Sequence, residues 1–528
     1  MTMIKRSLTP KTLMNDPTYQ QALRLQNSGR FDDAELLIDG LLRKQPKSPP
    51  LLTCMGTLKL LKKEPMNAAN YLSKSIQINP SQPIALIRRG ISLGLAGNPK
   101  AALTDFERAL KLEPKSIEAL YNKAKIESDM RRYDDSARSY TECLRIKNSM
   151  EESYIGRGRA RIRLNDIHGA LDDFNKAITL NPCNSDAYIG RAASHHELGM
   201  FDAALLDFDK SIEFGHSSHE ANFGKALTLL TVGNSPEGWA LYENRLSTRF
   251  KNAYESIQGI RWNCTDNING KTIYIYAEQG LGDTLQFCRY IDALKKMGAN
   301  IILEAPEPLL PLLASLDQDM RLVSPGCESL SYDYHCPLMS LPLAFQRLAI
   351  EMPTKIPYLF NSDDVITFWH GLLGEKRRAR IGLAWSGNPE NELDRKRSID
   401  LEHFCRIINL PHDFYALQKI ISERDIQFIN SHDNFHIYSH LLHDFSYTAG
   451  LVHHMDLVIS VDTSIAHLAG SLGHPLWILL PHVPDFRWLT NRPDSPWYPS
   501  AKLFRQAKRG KWQEVFELVL NDLSKFNL

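Results

Sequence analysis

The stretch PIALIRRGISLGLAGNPKAALTDFERALKLEPKS (83–116) is the unit from which the first half of the chain is built. Gly90 is followed by Ala102 and then by Phe106, and Pro114 stands near the end. The same slots recur at a step of 34. The first small residue is Ala22, Gly56, Gly90, Ala124, Gly158, Ala192 or Ala226. The second is Ala34, Ala68, Ala102, Ser136, Ala170, Ala204 or Gly238, and the bulky one Ile38, Leu72, Phe106, Tyr140, Phe174, Phe208 or Tyr242. Pro46, Pro80, Pro114 and Pro182 mark boundaries, with Asn148 and His216 in the other two slots. Two helices per unit explain the pattern. Small residues lie where the helices approach, the large residue fills the gap, and proline ends the second helix because it lacks an N–H. One such unit cannot bury its apolar face alone, so units stack.

This spacing resembles the tetratricopeptide repeat. It predicts an all-α solenoid over 15–252, in seven units with the last partial, behind an N-terminal cap at 1–14. Two positions before the first small residue stand Gln20, Cys54, Arg88, Asn122, Gly156, Gly190 and Gly224. That is no asparagine ladder for gripping peptide backbone. A groove for a protein partner remains the expected use of such a surface.

After 252 the period stops and strands alternate with helices. KTIYIYA (271–277), ANIILEA (299–305), RLVSP and YDYHCPL form one series; IGLAWSG, FYALQ, FHIYS, DLVISV and PLWILLP form another that begins near 378. TLQFCRYIDALKKMG reads as one amphipathic helix ending at Gly298, and another helix is expected near 361–374. Alternation of this kind means parallel sheets. The predicted architecture is therefore α followed by α/β, with two Rossmann-like halves at 253–377 and 378–528, the latter closed by a C-terminal helix. Open parallel sheets bind ligands at the carboxyl ends of their strands.

Four elements there carry chemistry. In Gln279-Gly280-Leu281-Gly282-Asp283-Thr284 the glycines allow close backbone approach, and Asp283 is either a helix cap or a catalytic carboxylate. In Trp385-Ser386-Gly387-Asn388-Pro389 and the following Asp394-Arg395-Lys396-Arg397, the cations either meet phosphate or form a solvated loop. Asp462-Thr463-Ser464 ends a strand at a helix start, a place that suits an anion, and Asp462 is again a cap or a site residue. His467, on the next turn, is core or site. Gln418 and Lys419 at the end of FYALQ are placed to read a base or ribose edge and to reach a phosphate.

Taken together, QGLGDTLQF, WSGNPENELDRKRSI, YALQK and VDTSIAHLAGSLGHPLWILLP resemble bacterial tetratricopeptide-repeat glycosyltransferases. Their transferase part is related to glycosyltransferase family 9, the ADP-heptose:lipopolysaccharide heptosyltransferases. GWALYENR (238–245) and DSPWYPSAKLFRQ (494–506) are typical of that group. The resemblance implies a GT-B fold and inverting, metal-independent transfer from a nucleotide-sugar donor to a protein or glycan acceptor. It implies Asp283 as general base. It places Lys396 or Arg397 at the donor phosphates and Asp462, Thr463, Ser464 and His467 on the phosphate-side loop, with Ser464 where that family has glycine; Gly280, Gly282, Asn388, Gln418 and Lys419, read from the residues themselves, complete the expected donor site. No metal and no cofactor is expected. Two other readings stay open: a non-catalytic repeat scaffold with a degenerate transferase domain, and an enzyme on the same two-half architecture that is not a transferase, such as a nucleotide-sugar 2-epimerase.

Charge and composition narrow the classes further. Lys+Arg number 62 and Asp+Glu 61, for a net charge of +1. That gives no electrostatic case for nucleic acid. No apolar run approaches the ~18 residues a membrane span needs. The opening MTMIKRSLTPKTLMND has no apolar core of a signal peptide, and the eight cysteines are scattered. The expectation is a cytoplasmic protein with reduced thiols.

Overall fold

The computed structural model describes residues 13–215, 219–248, 257–327, 330–388 and 394–525. The expected cap at 1–14 lies outside the described residues except for 13 and 14, and so does the expected boundary at 252–253. The chain divides into two compact units. The first reaches His195, and the second takes the chain from His196 onward, with 213–216 grouped with the first.

The first unit is helical throughout. Its helices pair as Pro49–Leu61 with Pro65–Ile78, Pro83–Leu95 with Pro99–Leu112, Ile117–Asp129 with Tyr133–Ile146, and Glu151–Arg163 with Ile167–Leu180. Pro80, Pro114 and Pro182 each stand two residues past a helix end, and Pro49, Pro65, Pro83 and Pro99 open helices, where a missing N–H costs nothing. The small-against-large rule holds at atomic distance. A Cβ on Gly56 would stand 2.5 Å from Leu72, one on Gly90 2.7 Å from Phe106, and one on Gly158 2.8 Å from Phe174. Phe174 also fills the space beside Gly190, at 2.1 Å from a Cβ there. Where the second slot is polar, Ser136 turns its hydroxyl onto the Ala124 carbonyl at 2.8 Å. Buried ion pairs repeat as well. Arg89 forks onto Asp105 with two bonds of 2.7 Å, and Arg157 grips Asp173 at 2.6 and 3.0 Å.

The second unit holds the last repeat helices, including His219–Thr231 and Ser235–Tyr242, and two all-parallel sheets. The first sheet is made of β1 (Thr272–Tyr276), β2 (Asn300–Glu304), β3 (Arg321–Val323) and β4 (Tyr334–Pro337), in the order β3-β2-β1-β4. The second is made of β5 (Arg380–Ala384), β6 (Asp413–Ala416), β7 (Phe435–Ile437), β8 (Leu457–Val461), β9 (Leu476–Leu480) and β10 (Ala501–Arg505), in the order β10-β9-β8-β5-β6-β7. The central strands β5 and β8 are buried along their whole length, as strands covered on both faces must be. The expected helix near 361–374 is present as Asp363–Leu373, and Trp512–Leu523 is the C-terminal helix.

Two expectations need correction. The helix expected from 284 to 298 is two helices, α1 (Leu281–Phe287) and α2 (Tyr290–Lys296). Arg289 breaks it: its Nε takes the Gln286 carbonyl at 2.9 Å, while the Ile291 N–H steps back only to the Cys288 carbonyl. The second is β10, a strand within DSPWYPSAKLFRQ where alternation alone predicted none. Among the described residues no helix is long and apolar enough to cross a membrane.

Phe174→Ala should cost about 3–5 kcal/mol, because a fully buried ring between two glycines is removed. Denaturant unfolding of the repeat region reports it. A loss below about 0.5 kcal/mol, the range of a surface change, would contradict this packing.

Candidate functional site

The chain leaves β1 at Tyr276 and enters α1 through Ala277-Glu278-Gln279-Gly280. Two contacts fix that turn to the end of the last repeat. Glu278 is buried and pairs with Arg245, itself fully buried, at 2.7 Å. Gln279 donates to the Tyr242 hydroxyl at 2.8 Å. Arg245 continues to Glu243 at 2.6 Å and to the Ser340 hydroxyl at 2.9 Å. The tyrosine and arginine of GWALYENR thus brace the loop that carries the glycines.

The N-cap of α1 is Gly280 and not Asp283. Asp283 stands at the third helical position and turns back, its Oδ2 accepting the Gly280 N–H at 2.8 Å, the carboxylate half of a capping box. Its Oδ1 is bonded by the Arg487 guanidinium, which arrives from the segment after β9. Arg487 also holds Asp485 at 2.6 Å and lies over the Phe486 ring at 4.3 Å. Only 7% of Arg487 is exposed, and its Nε has no hydrogen-bond partner among the described residues. Burial opposes its charge, but Asp283 and Asp485 outweigh burial and hold it above the ordinary arginine range.

From the other sheet, β8 ends at Val461 and α3 (Ser464–Ser471) begins. Thr463 is the cap, accepting the Ile465 N–H at 3.3 Å, so Asp462 is not. The Thr463 carbonyl takes the N–H groups of Ala466 and His467. Among the described residues the first turn therefore presents the Ser464 N–H alone, fewer donors than the sequence promised. Asp462 is buried and its carboxyl is pushed up to about 6, first by burial and next by Asp485, while Arg397 and Arg487 pull the other way.

His467 belongs to both core and site. Its ring stacks on Trp488 at 5.2 Å and 22°, and Nδ1 meets the Tyr498 hydroxyl at 3.0 Å. Burial first, then Arg487, Arg289 and Arg397, hold it well below the ordinary histidine range, so it is neutral. Nε2 lies 3.9 Å from Asp462. Across from it stands Gly282, where a Cβ would come within 2.7 Å of the His467 ring and 3.5 Å of the Ser464 backbone. Gly280, Gly282, Asp283, Asp462, Thr463, Ser464 and His467 are therefore one cluster.

The remaining candidates lie apart from that contact. Gln418 spends its amide on the turn after β5: Oε1 accepts from Trp385 and Ser386 at 3.1 and 3.3 Å, and Nε2 donates to the Ser386 hydroxyl at 2.9 Å. It braces a loop instead of offering an edge to a ligand. Lys419 is exposed and reaches the His443 carbonyl at 3.2 Å. Asn388 is exposed beside 389–393, which lie outside the described residues. Lys396 is paired with Glu197 of the helix Ser185–Glu197, and that carboxylate is also 3.6 Å from Arg509. Arg397 pairs with Asp394 at 3.1 Å, and its charge still reaches Asp462. A pocket of about 380 Å³ shares Phe486 with this region and is lined by Trp239, Tyr290, Phe345 and Trp497.

Arg487, Asp485, Trp488 and Tyr498 were missed from sequence. The signal was present in PDFRWL (484–489), an arginine set between aromatics just after a buried strand.

A family model described as tetratricopeptide repeat matches residues 87–150 and 155–219. The N-terminal region is thus a solenoid of tetratricopeptide repeats, followed by an α/β region with parallel sheets. Protein FlbA of Caulobacter vibrioides is 26% identical over 327 residues, covering 57% of this chain and 54% of FlbA. A DnaJ homolog subfamily C member 7 homolog of Schizosaccharomyces pombe is 29% identical over 122 residues, 20% of this chain and 26% of that protein. The chain thus spans about half or less of the length of these relatives. Among solved structures, a tetratricopeptide repeat protein from Parabacteroides merdae is similar at 17% identity and TM-score 0.39, over 45% of this chain and 93% of that one. The Cut9–Hcn1 hetero-tetramer of APC/C is similar at 15% identity and TM-score 0.39, over 47% and 51%.

Gly282→Ala drives a methyl into a ring that Trp488 and Tyr498 hold in place, and overpacking of this kind costs ~1–3 kcal/mol. The melting temperature should fall, and His467→Ala added to it should recover part of the loss; no recovery would contradict the contact. Asp462 takes up a proton on folding between pH 4 and 6, so its contribution is largest below pH 4 and is lost as pH rises through 6. Asp462→Asn should therefore gain stability over wild type as pH rises from 4 to 7, by ~2–4 °C in melting temperature for each kcal/mol. A constant difference across that range would overturn the assignment.

Proposed function

We propose that the α/β region is a GT-B glycosyltransferase. It moves a sugar from a nucleotide-sugar donor, with inversion, to a protein or glycan acceptor that the repeats recruit. The observation that carries this reading is the meeting of two strand ends. The start of α1 and the start of α3 follow β1 and β8 and touch at Gly282 and His467. Carboxyl ends of parallel strands are where such sheets bind ligands, and here the loop that carries a carboxylate from one sheet touches a helix start from the other.

Asp283 acts as general base on the acceptor hydroxyl. The freed oxygen bonds to the anomeric carbon as the bond from that carbon to the phosphate oxygen breaks, and the electron pair leaves on the nucleotide. The phosphates lie at the Ser464 N–H and near Arg397. Charge stabilisation placed where the leaving group becomes anionic accelerates such a step, and protein groups supply it without a divalent metal. The pocket beside Phe486 gives room for the uncharged part of an acceptor.

A repeat scaffold without catalysis is the second reading, favoured by the match to the tetratricopeptide repeat. The two separate on one measurement. Asp283→Asn keeps an acceptor for the Gly280 N–H and loses the base, so turnover of a responsive nucleotide-sugar should drop by ~10²–10⁴-fold with folding retained. Unchanged turnover would remove Asp283 from the chemistry. No binding of any nucleotide-sugar would favour the scaffold.

A further inference from the structure

The transferase reading leaves a difficulty, because each oxygen of the proposed base already holds a protein donor. Gly280 holds one and Arg487 the other. The helix start across from it has the converse shortage, with one free N–H for an anion. Of the cations expected at the phosphate, Lys396 is committed to Glu197 and Arg397 to Asp394. Arg487 is the cation held between the two sheets at this point. It is more than nine-tenths buried, its Nε is unpartnered among the described residues, and its charge acts on Asp462 and His467, which flank the start of α3.

We infer that Arg487 is the ligand of the leaving nucleotide's phosphate and that it exchanges Asp283 for that phosphate, so that donor binding frees the base. The inference rests on the transferase reading. A buried guanidinium needs an anion beside it. Asp283 and Asp485 serve here, and Asp283 is the one that phosphate displaces. A phosphate offers more oxygens to the planar fork than one carboxylate oxygen does. When phosphate takes the Nη2 and Nε donors, Asp283 keeps only the Gly280 N–H and faces the acceptor with a free lone pair. The exchange orders the reaction. Without donor one oxygen of the base is turned to Arg487, and the acceptor is engaged only when a leaving group is in place.

The test is calorimetric titration of the full chain with UDP, GDP, ADP and CMP. The variants are Asp283→Asn, Arg487→Gln and the pair together, each checked for folding by circular dichroism. Arg487→Lys, which keeps charge but loses the fork, replaces Arg487→Gln if that variant does not fold. The nucleotide bound by wild type should bind about tenfold tighter to Asp283→Asn, since the competitor for Arg487 is gone. It should bind at least tenfold more weakly to the Arg487 variant, of the order of a lost charge-assisted bond. The gain from Asp283→Asn must vanish in the double variant, because the two residues are coupled. An equal gain with and without Arg487 would show simple charge repulsion from Asp283 and overturn the inference alone. Wild-type affinity in the Arg487 variant would do the same. If wild type binds none of the four nucleotides, the transferase reading falls and the inference falls with it.

Discussion

The α/β region depends on one close approach. Gly282 has no side chain, and the space where a Cβ would stand is filled by His467. Around this contact the two sheets are tied by polar groups as well as apolar ones: Arg487 reaches Asp283, and Arg289 donates to the Trp497 carbonyl at 3.0 Å and to the Tyr358 hydroxyl at 3.1 Å. A glycine at that place is required by volume, and the neutral histidine opposite is required by burial. Any side chain at 282 larger than hydrogen would push the loop carrying Asp283 away from the helix carrying Thr463.

Three buried arginines turn that contact into a framework. Arg245 pairs with Glu278 and Glu243, Arg289 lies over the Tyr358 ring at 4.7 Å, and Arg487 bridges Asp283 and Asp485. Burying such charges adds little net stability, but removing one partner leaves the other uncompensated and costs ~3–5 kcal/mol. These residues therefore specify position more than they add cohesion. They set the angle at which the β1 loop, the last repeat helices and the segment after β9 meet. Aromatic rings fill the space between them, with Trp239 edge-on to Phe287 and to Phe486 at 5.9 and 5.7 Å.

How much was legible follows from how local each cause is. The repeats could be read because their packing rule recurs at a fixed step, so Gly90 against Phe106 is visible as a spacing. Strands β1 to β9 could be read from short apolar runs; β10 was not, because AKLFR follows a proline-rich turn and carries two cations. The broken helix at Arg289 was hidden, since the side chain that breaks it is drawn away by Trp497 and Tyr358, far along the chain. For the same reason Lys396 read as a phosphate ligand until Glu197, about two hundred residues earlier, took its charge. Gln418 looked available because the turn it braces is formed by another strand. Asp283 was ambiguous in sequence; in structure it is the third helical residue, bonded back to the Gly280 N–H. The capping bond and the proposed base are not exclusive, because one oxygen serves the Gly280 N–H and the other stays exchangeable.

The transferase reading stands or falls on whether the β1 loop, the start of α3 and the segment after β9 form one ligand site. Hydrogen exchange of the full chain, with and without the nucleotide that raises its melting temperature, addresses this directly, since bound ligand suppresses local opening where it sits. A single site predicts protection in 279–287, 463–471 and 485–489 together. Protection in only one of these segments, or in the repeats alone, would contradict it.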